Sequence, residues 1–301
     1  MSEGSGARAP SDPPSIFLYG AGRTGLAVAL RAHRRGVEVE GIWSRRPLEP
    51  ARDDLARELE LSVGYPPPAP EADLWLLAVP DDAIGDLATR LAAEAERGSR
   101  PRAAAHCAGA RPAAALAPLA GLGVAVGSWH PAMTFGGAPD DADALAGAVV
   151  ALEGEEPARE ILASFTRALG ATPVVVAEER KPLYHAALVL ASNGRVALTA
   201  AAERMLAEAG IGTAEARSLL RPLVERTEQN LAGHDPLDAL TGPVARGDAH
   251  TVRLQLEALD EAPSLAALYR ALGRTALELV PASRRGPGHR AVARILEEVE
   301  C

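Results

Sequence analysis

The stretch Gly20-Ala21-Gly22-Arg23-Thr24-Gly25 constrains this chain more than any other, because it separates the apolar run at residues 15–19 from an apolar helical pattern that begins at Leu26. It reads as strand, tight turn and helix. Gly20 permits the turn after the strand, Gly22 lets the backbone come close to a ligand, and Gly25 lets the helix lie against the sheet. The N-terminus of such a helix presents unpaired N–H groups to an anion. Gly20, Ala21, Gly22, Arg23, Thr24 and Gly25 are therefore expected to cradle the pyrophosphate of a dinucleotide, the alternative being an ordinary strand-to-helix turn.

The rest of the first half keeps the same rhythm. Strands are predicted at residues 37–43, 73–80, 103–107, 123–129, 148–152 and 172–176, with helices at 50–59, 82–96 and 157–169. The run Leu74-Trp75-Leu76-Leu77-Ala78-Val79 shows no polar alternation, as expected of a parallel strand covered on both faces. After residue 180 only helical periodicity remains. Pro182 suits the first turn of a helix reaching residue 209. Thr213 caps a second, kinked by Pro222, and Asp248 and Ser264 open two more before a last one at 290–300. The fold class is thus α/β, an N-terminal Rossmann-type parallel sheet domain followed by an all-α C-terminal domain. Residues 1–13 read as a disordered tail, 14–179 as the sheet domain and 180–301 as the helical domain.

A formal net charge of −9 argues against a nucleic-acid partner, which needs an excess of Lys and Arg. The two cysteines, Cys107 and Cys301, form neither a disulfide framework nor a metal spacing. The first 14 residues hold no apolar stretch resembling a signal peptide or membrane anchor, so a cytoplasmic protein without membrane or metal is expected.

In folds of this kind the end of the second strand meets the adenosine ribose, and an acid there accepts from the 2′-hydroxyl of NAD. Here the position reads Ser44-Arg45-Arg46. A hydroxyl followed by two guanidiniums suits a 2′-phosphate, so NADP is expected, with Arg23 adding charge. The competing reading is a solvated basic loop. Val79, Pro80, Asp81 and His106 lie at carboxyl ends of predicted strands, where open α/β sheets hold ligands, and are assigned to the cofactor site. Asp81 or Asp82 would alternatively cap the next helix.

The glycine turn, together with Ser128-Trp129-His130-Pro131-Ala132-Met133-Thr134-Phe135, Tyr184-His185-Ala186-Ala187, Ala191-Ser192-Asn193 and Thr241-Gly242-Pro243-Val244-Ala245-Arg246-Gly247-Asp248, resembles the bacterial Rossmann-like proteins that carry the domain of unknown function DUF2520. That family is similar in layout to pyrroline-5-carboxylate reductase, ketopantoate reductase and the β-hydroxyacid dehydrogenases. The resemblance implies an NADP domain and a helical, dimerising domain like the C-terminal domain of 6-phosphogluconate dehydrogenase.

In the reductases it resembles, a long helix after the cofactor domain passes the nicotinamide, and residues 181–209 would be that helix here. At about 100° per residue, Lys181, His185 and Ser192 share a stripe with Asn193 beside it. Polar groups on an otherwise apolar segment fit a cleft better than a core. His185, Ser192, Asn193 and His130 are the catalytic candidates, with His185 as general acid or, equally, a core histidine bonded to a carbonyl. His130 faces substrate or merely fixes the turn at Pro131. Lys181, just before a proline, reads as a solvated cap or a distant member of the site. Arg246 and Thr241 are assigned to a substrate carboxylate, although Arg246 could simply pair with Asp248.

Together these residues predict an NADPH-dependent reductase of a small carbonyl or imine compound, a homodimer with its site in an interdomain cleft. A non-catalytic NADP sensor and a dimerising scaffold are the rivals.

Overall fold

The computed structural model describes residues 13–48, 59, 61–65 and 67–298. The expected N-terminal tail, apart from residue 13, and all but residue 59 of the expected helix at 50–59 lie outside the described residues.

The chain divides into two compact units, Met1–Ser192 and Asn193–Cys301. The sheet unit runs β1 (Ile16–Tyr19), α1 (Arg23–Arg34), β2 (Val39–Ser44), β3 (Leu61–Val63), β4 (Leu74–Leu77), α2 (Ile84–Ala95), β5 (Ala103–His106), α3 (Ala117–Ala120), β6 (Ala125–Pro131), β7 (Val149–Gly154), α4 (Ala158–Ala168), β8 (Thr172–Val175) and α5 (Lys181–Ala191). Its strand order is β3-β2-β1-β4-β5-β6-β7-β8. The first six strands in that row are parallel, and β6 and β7 are antiparallel. Sequence rhythm alone suggests parallel strands throughout. The register Pro131↔Val150 shows why they are not: β7 starts at the edge where β6 ends, because residues 132–148 turn back without crossing the sheet.

Side chains of each strand alternate between two cores. Ile16, Leu18, Leu74, Leu76 and Trp129 pack with Val28 of α1 and Phe165 of α4 on one face. Phe17, Tyr19, Trp75 and Leu77 pack with Ile84, Leu87 and Leu91 of α2 on the other. Trp129 is fully buried, stacks at 5.4 Å on Phe165 and donates its indole N–H to Thr166 Oγ1 at 2.9 Å, so its polar atom is satisfied inside the core.

The helical unit consists of α6 (Asn193–Glu208), α7 (Thr213–Gly233), α8 (Pro236–Ala239), α9 (Pro243–Arg246), α10 (Ala249–Glu257), α11 (Pro263–Leu279) and α12 (Pro287–Glu297). Val244, Val252, Leu256, Leu277, Val292, Ile295 and Leu296 form its core. Asp248 caps α10 as expected, accepting from Thr251 N at 3.1 Å. Thr213 and Ser264 instead lie inside their helices, behind Gly212 and Ala262 at the cap positions.

The expected helix over residues 181–209 is two helices, broken at Ser192 with φ −107° and ψ −70°. The sequence there is Ser192-Asn193-Gly194. Ser and Asn side chains compete for backbone bonds and glycine weakens a helix, so a break forms where the apolar pattern suggests continuity. The helix at 181–191 accordingly belongs to the sheet unit, and the division falls at 192/193 rather than at 180.

Candidate active site

Two groups of residues in the sheet unit have the makings of a site. The first is the glycine turn. Gly20 has φ +113°, and a Cβ there would run into the Ala78 carbonyl and reach 3.0 Å from Val79 Cγ1. A Cβ on Gly25 would strike the Gly20 carbonyl, whereas one on Gly22 would meet nothing within 4 Å. Two of the glycines thus close the strand–helix joint, while the third leaves the backbone open. The α1 N-terminus has no acidic residue in its first turn and no capping side chain, so no side chain competes with an anion for its orphan N–H groups.

At the end of β2, Ser44 donates its hydroxyl to the Arg46 carbonyl at 2.7 Å, shaping the turn that displays Arg45 and Arg46 to solvent. Neither guanidinium has a hydrogen bond or ion pair among the described residues. The donor set fits a phosphorylated dinucleotide: an open glycine backbone, a bare helix terminus and two exposed cations without a partner among the described residues. Arg23 is exposed and lies along Gly137, whose Cβ would be 3.4 Å from Arg23 Cγ.

The second group interrupts the apolar face that carries Trp75 and Leu77. Register pairs His106 of β5 with Ser128 of β6, and Ser128 with Glu153 of β7, so these three side chains share that face, with His130 two residues further along β6. Helix α5 lies over them. Lys181, 1% exposed, donates from Nζ to Ser128 Oγ at 2.5 Å and sits 3.9 Å from Glu153 Oε2. That carboxylate also accepts from Ala113 N at 2.7 Å. One turn along α5, Tyr184 Oη is 3.0 Å from His130 Nδ1, and the His185 ring packs edge-on to His130 at 5.5 Å.

Gly109 makes room for this arrangement. A Cβ there would overlap the His185 ring and lie 2.8 Å from His130 Nε2 and 2.9 Å from His185 Nε2. The two Nε2 atoms therefore flank one point beside the backbone. Tyr184, His130 and His185 are all half-buried, so the cluster is open on one side.

Burial dominates the electrostatics. It lowers His130 to about 4, helped by the positive ends of His185, Lys181 and His106. It lowers His106 to about 4 as well, against the pull of the Pro112 carbonyl. His106 Nε2–H donates to that carbonyl at 3.0 Å and Nδ1 accepts from Ala108 N at 3.2 Å, so both nitrogens are committed to the loop after β5. The Lys181 ammonium is pushed down by burial, and Glu153 and then Asp81 draw it back up. Burial raises the Tyr184 hydroxyl.

Of the sequence-predicted residues, His130 and His185 meet directly. Lys181 is a buried partner of Ser128 and Glu153, not a solvated cap, because α5 turns its first residue onto the sheet. Asp81 and Asp82 are exposed and cap no helix through their side chains; a single tight turn at residues 81–83 precedes α2. Val79 and Pro80 follow β4 beside Gly20. Ser192 and Asn193 occupy the helix break. Arg246 and Thr241 are exposed on the helical unit, where His289 clasps the α9 turn through Nε2 to the Ala245 carbonyl at 3.0 Å.

Sequence reasoning assigned no role to Tyr184, Ser128, Glu153 or Gly109. Gly109, three residues past the β5 terminus, was the one signal available for a crowded backbone.

Among the described residues no helix is long and apolar enough to cross a membrane. A Rossmann-like domain model matches residues 9–131, and the domain of unknown function DUF2520 matches residues 148–276. A comparison with curated proteins finds no match. Among solved structures, protein TM1727 from Thermotoga maritima is 23% identical with a TM-score of 0.70, covering 90% of this chain and 100% of that one. Plasmodium falciparum pyrroline carboxylate reductase, solved with NADP bound, is 10% identical with a TM-score of 0.57 over 89% of this chain and 98% of that one. An imine reductase from Pseudomonas sp. is 16% identical with a TM-score of 0.56 over 89% and 94%. At these identities the likeness is one of fold. The chain carries a Rossmann-like domain followed by a DUF2520 domain.

Proposed function

We propose that this protein is a cytoplasmic, NADPH-dependent reductase of a small carbonyl or imine compound. The observation that carries the reading is the Tyr184–His130 contact of 3.0 Å on a sheet whose first strand ends in a glycine turn open to a dinucleotide. The solved reductases of the same fold support it, and Arg45 and Arg46 favour the 2′-phosphorylated cofactor. Bound there, NADPH supplies the hydride.

The protein's own part is to hold the substrate and move a proton. With His130 protonated at Nδ1, the imidazole donates to the Tyr184 oxygen and leaves the phenol hydrogen free for a substrate oxygen or nitrogen. As negative charge develops on that atom, Tyr184 gives up its proton and takes one from His130 Nδ1. In the same step His130, half-buried and reached by solvent, takes a proton from water at Nε2, so the ring changes tautomer and stays neutral, and the hydride and the solvent proton together complete the reduction. A neutral His130 serves this exchange, because an imidazolium beside Tyr184 would have no site left to accept on.

Homodimerisation belongs to the same proposal. Among the described residues α6 buries only Ala201 and α7 only Ala216, while Val196 is 72% and Leu223 63% exposed. These two long helices have more apolar surface than their own unit covers. Light scattering should give twice the chain mass, and a monomer at all concentrations would refute the dimer.

The function is tested by following NADPH oxidation against a panel of keto acids, aldehydes and cyclic imines. Turnover of at least one class is expected, and cofactor binding without turnover of any would favour a sensor.

A further inference from the structure

The catalytic reading leaves one costly feature unused. Lys181 and Glu153 bring a full ion pair into the face of a sheet, where desolvating charge usually cancels the attraction gained. Their contact is also poor as an ion pair, at 3.9 Å, since the short bond from Lys181 goes to Ser128 at 2.5 Å. Stability alone does not account for it. Its position is more telling: Lys181 begins α5, and Tyr184 and His185 follow within about one helical turn, on the side that meets His130.

We propose that Lys181 is a positioning residue, whose ammonium, anchored on Ser128 and balanced by Glu153, seats the first turn of α5 on β6 and β7 so that Tyr184 and His185 meet His130, and sets a positive charge in the same cluster as that imidazole. The assignment rests on the reductase reading for its catalytic meaning, but the seat itself is a property of the folded chain. Three contacts define it: Lys181 to Ser128, Lys181 to Glu153, and Glu153 to the Ala113 N–H, which ties the loop after β5 into the same cluster.

Tyr184 and His185 of α5 contact His130, Lys181 of α5 and His106 of β5 act on it through the cluster, and Glu153 of β7 sits against Lys181; Asp81 and Arg111 act on His106 from further off. After burial and His185, the Lys181 ammonium is a further positive group that holds His130 low. Removing it should therefore let His130 take up a proton at higher pH, in the same direction as removing a like charge from any buried base. A residue that only filled space would leave that titration alone.

The test compares Lys181→Met with the double variant Lys181→Met/Glu153→Gln. The single change strands a buried carboxylate and can unfold the protein. The double change removes both charges while the Gln carbonyl still accepts from Ala113 N–H, so it keeps the fold. Native and variant proteins carry ¹³C-labelled histidine, and the ring signal of His130 is identified by its loss in His130→Gln.

In the native protein this signal should titrate with its midpoint near pH 4. In the folded double variant its midpoint should rise above the native one while staying below the ordinary histidine value, because burial and His185 still act on it. With a substrate from the NADPH screen, turnover of the double variant should fall about 10- to 100-fold at unchanged NADPH affinity, because a misplacement of about 1 Å costs that much. A folded double variant whose His130 titrates as in the native protein overturns the proposal. The titration needs neither cofactor nor substrate, so failure of the substrate screen would refute the reductase reading without touching this result.

Discussion

Neighbouring residues of β6 meet opposite chemistry. Trp129 points into an apolar core, stacked on Phe165 with its one polar atom bonded to Thr166. Ser128 and His130 point the other way, to a buried lysine, a tyrosine and a second histidine. The same strand thus packs an apolar core with one face and carries the proposed site on the other, and the period of 2 along a strand is what allows it. Further along the sheet, β1 and β4 carry Tyr19, Trp75 and Leu77 on the face where β5 to β7 carry His106, Ser128 and Glu153. The polar strip spans the place where the parallel pairing of β5 and β6 gives way to the antiparallel pairing of β6 and β7.

If the two faces divide labour in this way, their variants should separate. Trp129→Ala should show the largest effect, a loss of about 3–5 kcal/mol in stability by chemical denaturation, as for other large-to-small core changes. The NADPH affinity of the folded fraction should be unchanged. A comparable loss of affinity would show that the apolar face is not independent of the site.

Arg45→Glu tests the cofactor end. It should weaken NADPH by about 1.5–3 kcal/mol, roughly 10- to 100-fold, and leave NADH almost unaffected, since repulsion replaces a charge-assisted bond. Equal affinity of the native protein for both cofactors by calorimetry would remove the role given to Ser44-Arg45-Arg46.

Acid should expose the polar face specifically. His106 and His130 both titrate near 4 when folded, below the ordinary value of 6.5, so the unfolded chain binds protons first as pH falls. Stability from their neutral burial is complete above about pH 6.5 and drains as pH falls towards 4, at no more than about 1.4 kcal/mol per pH unit for each. Denaturation midpoints across that range should show the decline, and His130→Gln should shallow it; an unchanged slope would place the titration elsewhere. Asp248→Ala, which removes a cap from α10 in the other unit, should give the smallest effect, a slight fall in thermal midpoint with no change in cofactor binding.

Much of the fold was legible in the sequence for a local reason. Gly20 to Gly25, the unalternating run of β4 and the Asp248 cap each report on their own few residues. What was not legible depends on distant partners. The three residues of β3 gain their strand character from pairing with Ile42 to Ser44, and β7 takes its direction from how residues 132–148 return. In the site, His130 and His185 could be singled out by residue type, whereas Lys181 looked solvated because its partners, Ser128 and Glu153, lie 53 and 28 positions away. The stripe drawn from Lys181 to Ser192 holds as far as His185 and ends at the helix break, which Ser192-Asn193-Gly194 did signal.

The central claim is that the Tyr184–His130 pair moves the proton that accompanies reduction. Tyr184→Phe removes one oxygen from the half-buried side chain and leaves the glycine turn and Arg45–Arg46 intact. Measured on a substrate from the NADPH screen, the folded variant should bind NADPH as the native protein does and turn over about 10²–10³-fold more slowly. Native turnover by folded Tyr184→Phe would contradict the account.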